Sequence, residues 1–377
     1  MSPPFLPAVL RRLSPPFLPA VLRRLSPPFL PAVPRPFSPP FLPPALRLLR
    51  PREPIEQQLS FGEAIWTSRE YADKAAGLLA VTGTWRAVVY GAPGSGKSVF
   101  AAMAAQGLAG DGAEVVPLVF SLSTRRHPDD LSAWLNRRLP QAYPELRHVS
   151  AAGPGGRVAR LVRSGRYLFV LDGLDEMPRR MRRWALEEVG LLFGPDDPVV
   201  LLTADAGLDN PLPLAGAQHI GIEPAPPGAV ADYLDALGRF ERPNLAGATA
   251  GFDTLAKIVR SDPGGPVAAL LSRPLDLSLT VQAMSRGLLW PSDLADCLLV
   301  GGLAGAREVL LALEVAGVVG RRWDSRRLGR LARRMREAGV PPSRGLESLV
   351  DAGLLRREGR LYLFRHAEIG DFVATLV

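Results

Sequence analysis

Between residues 87 and 222, short unbroken apolar runs alternate with longer stretches whose apolar positions recur every three or four residues. The runs fall at 87–90, 115–121, 167–171, 199–203 and 219–222, and helical periodicity marks 98–109, 128–139 and 180–193. Unbroken apolar runs are the signature of strands buried on both faces. Their alternation with helices predicts an α/β fold around a parallel five-stranded sheet. The pattern changes toward the end of the chain. Across 321–338, Leu328, Leu331, Ala332 and Met335 fall at i, i+3, i+4 and i+7 among eight arginines. This spacing predicts an amphipathic helix that starts at Asp324 or Ser325 and stops at Gly339. A second helix is expected at 345–352, then a β-hairpin over 354–365 turning at Glu358-Gly359.

The first fifty residues follow neither periodicity. SPPFLPAVLRRL stands at Ser2 and again at Ser14, followed by SPPFLPAVPRPF from Ser26 and SPPFLPPALRLL from Ser38. With three or more prolines per repeat, neither helices nor interior strands are expected, and polyproline-like extension or disorder is. Arginines and prolines interrupt every apolar stretch, unlike a signal peptide. One reading of this tail is a basic, apolar-spiked segment that touches an acidic membrane surface or a partner. The other is an unstructured extension.

Composition narrows the class. Of 377 residues 47% are apolar, enough for two or three domains with cores of their own. The net charge of +8 comes from the segment before Glu53, where eight arginines meet no acid, so the remainder is balanced. No run reaches the roughly 18 uninterrupted apolar residues of a membrane helix. Cys297 is the only cysteine, which excludes an internal disulfide and fits a reducing cytoplasm.

The chemistry concentrates after the first run. Gly91-Ala92-Pro93-Gly94-Ser95-Gly96-Lys97-Ser98, with Val99 following into the predicted helix, is G-x-x-x-x-G-K-[ST] at a strand-to-helix junction. Such a loop turns backbone N–H groups inward around a phosphate, and the helix adds its positive end. Lys97 is expected to reach the β- and γ-phosphates and Ser98 to hold Mg²⁺. The third run ends in Asp172-Gly173-Leu174-Asp175-Glu176. Asp172, at the carboxyl end of a buried strand, is placed to hold a water of the Mg²⁺ shell. One of the next acids, Glu176 ahead of Asp175, is expected to orient and deprotonate the attacking water.

The two motifs together resemble the NACHT family of signal-transducing NTPases, a branch of the STAND class related to the NLR proteins. Further segments look similar in the same order. These are Val119-Phe-Ser-Leu122, the stretch from Glu223 to Leu237, Arg273-Pro274-Leu275-Asp276-Leu277, and Leu363-Phe364-Arg365-His366 with Asp371-Phe372. The resemblance implies a helical lead-in at 51–85, a P-loop NTPase core at 86–222, a helical domain at 223–288 and a winged helix at 289–377. It also implies an ATP/ADP-dependent switch in bacterial signalling or defence. ADP would lie between the three domains and lock a closed form, and exchange for ATP would permit homo-oligomerisation. By position Pro274 would pack near adenine and His366 would contact the β-phosphate. A separate sensor or effector protein is expected as a partner.

The family pattern T-S-R after the fourth strand reads Thr203-Ala204-Asp205 here. An aspartate cannot stabilise phosphate charge, so hydrolysis is expected to be slow unless another cation, such as Arg125 or Arg126, compensates. Two other function classes remain open. One is a transcription regulator whose basic winged helix contacts DNA phosphates, although acids dilute the patch and a solvated charged face is the commoner outcome. The other is a nucleotide-locked scaffold without catalysis.

Overall fold

The computed structural model describes residues 45–49, 68–80, 85–108, 115–125, 130–153, 155–177, 179–203, 214, 216–239, 246–318, 331–332, 346–351, 354–358, 361–364 and 367–375. In chain order, β1 (Ala45–Leu49) and α1 (Ser68–Ala80) precede β2 (Arg86–Tyr90), α2 (Lys97–Leu108) and β3 (Val116–Ser121). Next come α3 (Leu131–Ala142), α4 (Gly156–Arg163), β4 (Tyr167–Asp172), α5 (Arg179–Leu192), β5 (Val199–Thr203) and β6 (Gln218–Glu223). A helical region follows: α6 (Pro227–Arg239), α7 (Ala246–Ser261), α8 (Pro266–Leu271), α9 (Pro274–Ser285) and α10 (Pro291–Val318). The described chain closes with α11 (Leu346–Asp351), β7 (Leu355–Glu358), β8 (Leu361–Phe364) and α12 (Ala367–Thr375).

The sheet has the order β1-β6-β2-β5-β4-β3. All pairings among β2 to β6 are parallel, with Val88 opposite Leu201 and His219, and Phe120 opposite Leu171. The five apolar runs are these five strands. β1 adds a sixth strand, antiparallel on the outer edge of β6, with Leu46 opposite Ile222. That strand corrects the expectation of a structureless segment up to residue 50. Ala45–Leu49 is the proline-free end of the last repeat, and an edge strand pairs on one side only, so prolines at 44 and 51 merely bound it. The earlier repeats lie outside the described residues.

Alternation along β2 shows why both faces are covered. Ala87 and Val89 join Phe100, Ala101, Ala104 and Leu79 from α2 and α1 on one side. Val88 and Tyr90 join the opposite cluster, where Phe120, Phe169 and Trp134 pack with residues of α3, α4 and α5. Phe120 and Phe169 stack with centroids 6.2 Å apart. The two-turn helix α4 is an addition to the helices that the pattern predicts. Its Val158, Leu161 and Val162 do keep helical spacing and are buried, but over too short a span to declare itself.

A third buried cluster joins described residues from Ala225 to Ala374, so the helices after β6 share one core with the C-terminal helix and hairpin. In the hairpin Leu355 pairs with Phe364 and Glu358 with Leu361. Of the arginine-rich stretch 321–338 only Leu331 and Ala332 are described, both buried. The rest lies outside the described residues. No helix among the described residues is long and apolar enough to cross a membrane.

Candidate functional site

The parallel strands place Tyr90, Ser121, Asp172, Thr203 and Glu223 at one edge of the sheet. The connection from β2 runs to β3 on one side, whereas that from β5 crosses β2 to β6 on the other. Such a reversal opens a crevice at the carboxyl ends of the strands, the position at which doubly wound sheets bind ligands. The chain fills it with the Gly91–Ser98 loop. Ser95 N–H donates to Ala92 O at 3.0 Å, closing a tight turn. Gly94 and Gly96 take φ of 73° and 100°, a backbone that aims successive N–H groups to one side. α2 begins at Lys97 with its first N–H groups facing the same loop.

The residues present fit an anion. Ser95 Oγ is buried and has no hydrogen-bond partner among the described residues. Lys97 is buried as well. Its Nζ donates to Gly91 O at 2.7 Å and Ala92 O at 3.3 Å, and it lies 3.3 Å from Asp175 Oδ2. Ser98 is exposed and Val99 half-buried at the start of α2. Asp172 is buried at the end of β4, separated from β2 by β5 alone.

After Asp172 the chain turns at Gly173 into a short 3-10 segment, Leu174–Glu176. Arg182 of α5 pins that turn, donating from Nη2 to Asp175 O at 2.5 Å and from Nε to Met177 O at 2.9 Å. The turn sends the two acids of the motif to different surroundings. Asp175 faces inward to Lys97, its Oδ1 buried without a hydrogen-bond partner, whereas Glu176 is exposed.

Beside the loop, the Tyr90 hydroxyl meets His219 Nδ1 at 3.1 Å, and the two rings stack with centroids 5.5 Å apart. Burial pushes Tyr90 up to about 12 and pulls His219 down, so both are neutral near pH 7. This neutral pair ties the end of β2 to β6. Arg125, a candidate for the missing cation, is buried instead, paired with Glu188 and 4.2 Å over the Trp184 ring. Arg126, Asp205 and His366 lie outside the described residues.

Sequence reasoning singled out Pro274 but passed over its neighbour. Pro274 opens α9, and Leu275 N–H donates to Gly94 O at 3.2 Å, so this segment rests on the phosphate loop. Arg273 holds the junction. Its Nε donates to Pro93 O at 2.8 Å, its Nη1 lies 3.3 Å from Asp276 Oδ1, and its Nη2 donates to Glu368 of α12. Asp276, 1% exposed, also accepts from Arg307 Nε at 2.7 Å. Burial raises its pKa, and the two guanidinium groups work against that rise. The only signal in the sequence was an arginine directly before the proline-leucine motif.

A glycine-rich loop between a central parallel strand and a helix, with a buried lysine and an acid ending a strand of the same sheet, defines a P-loop NTPase core. Residues 86–199 match the family model of the NACHT domain, and this match supports a NACHT-domain P-loop NTPase in that part of the chain. The match begins at the first residue of β2 and ends at the first of β5. No curated protein matches the chain.

Proposed function

We propose that this protein is an ATP/ADP-dependent conformational switch of bacterial signalling or defence, with slow hydrolysis coupled to homo-oligomerisation. The observation that carries the reading is the convergence on the phosphate loop. Arg273 and Leu275, from the helical region, bond to Pro93 and Gly94, and the same Arg273 bonds to Glu368 of the last helix. A loop that only bound and hydrolysed nucleotide would not need contacts from segments 180 residues away. Such contacts let the phosphate state bias the arrangement of the helices.

In this reading the N–H groups of Gly94 to Ser98 and the Lys97 ammonium hold the phosphates. Asp175 restrains Lys97 at the rim of the loop. Ser98 and Asp172 hold Mg²⁺, which supplies charge neutralisation on the β- and γ-phosphates when bound. Glu176, the more exposed acid, takes a proton from the water that attacks the γ-phosphorus, and the bond to the β-phosphate oxygen breaks to leave ADP and phosphate. Pro274 packs against the adenine and His366 donates to the β-phosphate from a winged helix that includes the hairpin β7–β8. The domain boundaries at 222/223 and 288/289 belong to the same proposal.

The test is to purify the protein, identify any nucleotide that accompanies it, and titrate a fluorescent ADP with magnesium. Wild type is expected to hold ADP, and Lys97→Ala to weaken binding by roughly 10- to 150-fold, since a hydrogen bond to a charged group contributes about 1.5–3 kcal/mol. Equal affinity in both proteins would remove the phosphate loop from the account.

A further inference from the structure

We propose that Arg273 is a phosphate-responsive latch. It ties the C-terminal helix to the phosphate loop through Glu368, and the added negative charge of a triphosphate competes with Glu368 for its guanidinium. The inference rests on the switch reading and names the residues that carry the signal.

The partners of Arg273 are unequal. Asp276 is almost wholly buried and is clamped a second time by Arg307, so it cannot leave without stranding a charge in the core. Pro93 O is part of the loop itself. Glu368 is the more loosely held partner, with its side chain 28% exposed and able to rehydrate. A disturbance at the loop therefore releases Glu368 first. The guanidinium also stands unusually close to the loop backbone. A Cβ added to Gly94, whose φ is 73°, would lie 2.5 Å from Arg273 Nη2 and 2.6 Å from Nε. Only glycine admits both that backbone and that approach.

Glu368 lies in the first turn of α12, whose Ile369 and Val373 are buried in the shared core. Freeing Glu368 removes a polar anchor in the first turn of that helix while its apolar face remains packed. The helix is thereby poised to shift or to stay, according to the charge in the loop. Arg273, placed between a fixed acid and a releasable one, is a fork with two settings.

The test uses the full chain and two readouts. The first is amide hydrogen exchange across residues 367–375 with ADP and with a non-hydrolysable ATP analogue. The analogue is expected to speed exchange there, and Glu368→Gln to reproduce the faster exchange with ADP bound. The second is release of a fluorescent ADP, expected to accelerate in Glu368→Gln by roughly 5- to 150-fold, the span of typical coupling between linked sites. Arg273→Lys, which keeps the charge and loses the fork, is expected to fall between wild type and Glu368→Gln in both. Unchanged exchange and release in both variants, with ADP binding intact, would overturn the latch and leave the nucleotide reading standing. Absence of nucleotide binding in wild type would overturn both.

Discussion

Lys97 is marked both by its place in the motif and by what surrounds it. Its spacing from Gly91 announced a phosphate ligand, and its surroundings are a buried ammonium shared between two loop carbonyls and Asp175. Among the residues after Asp172 the motif named both acids, but only the fold decided which faces Lys97. The pinning of the turn by Arg182 turns Asp175 inward and leaves Glu176 at the surface. Cys297 provides a separate check at this scale. It is 2% exposed, and burial, aided by Asp293 and Asp296, raises its thiol from an ordinary 9.0 to about 11. The neutral thiol is thus favoured by folding. Its contribution to stability is complete below pH 9 and is lost as pH rises through about 11. At pH 8 the folded protein is expected to react with a disulfide reagent at least ~100-fold more slowly than the unfolded chain, since the thiolate is the reactive form. One equivalent should appear on unfolding in denaturant, and rapid release from folded protein would contradict this burial.

Among the elements, the central strands were the most legible, because a strand covered on both faces must be apolar throughout and little else in a soluble protein is. Helices α2, α3 and α5 showed themselves by periodicity, with ends displaced by up to three residues. α4 was too short, and β1 was hidden inside a repeat that carries three or more prolines in every copy. α10 shows what periodicity does not register. It runs from Pro291 to Val318 as two helical pieces joined at Gly302, whose φ of 59° and ψ of −162° are reachable almost only by glycine. Nothing lies within 4 Å of the place its Cβ would occupy, so the constraint is in the backbone alone. Gly302→Ala is expected to cost about 1–3 kcal/mol and lower the melting temperature by roughly 1–4 °C. Thermal denaturation followed by circular dichroism measures it. A variant as stable as wild type would show that α10 straightens at no cost.

Over the whole molecule, the proposed switch predicts a change in assembly. Light scattering should show larger particles with a non-hydrolysable ATP analogue than with ADP, and Lys97→Ala should abolish the difference. Particles of one size under both conditions would leave nucleotide binding without the proposed output. The same scale exposes the limit of motif reading. The phosphate loop could be located from eight consecutive residues because its conformation depends on local glycines and on a junction between strand and helix. Asp172 could be placed because a buried strand ends in register with its neighbours. Those features were determined by the sequence alone, since short-range sterics and the covering of a parallel sheet admit few alternatives.

The junction of Arg273 with Pro93, 180 residues earlier, and with Glu368, 95 residues later, was decided by tertiary structure. Charged residues are spread along the chain, and no local pattern says which pairs will meet. Only the packing of the helices against one another buries Asp276, and within that packing Arg307 and Arg273 gather around it.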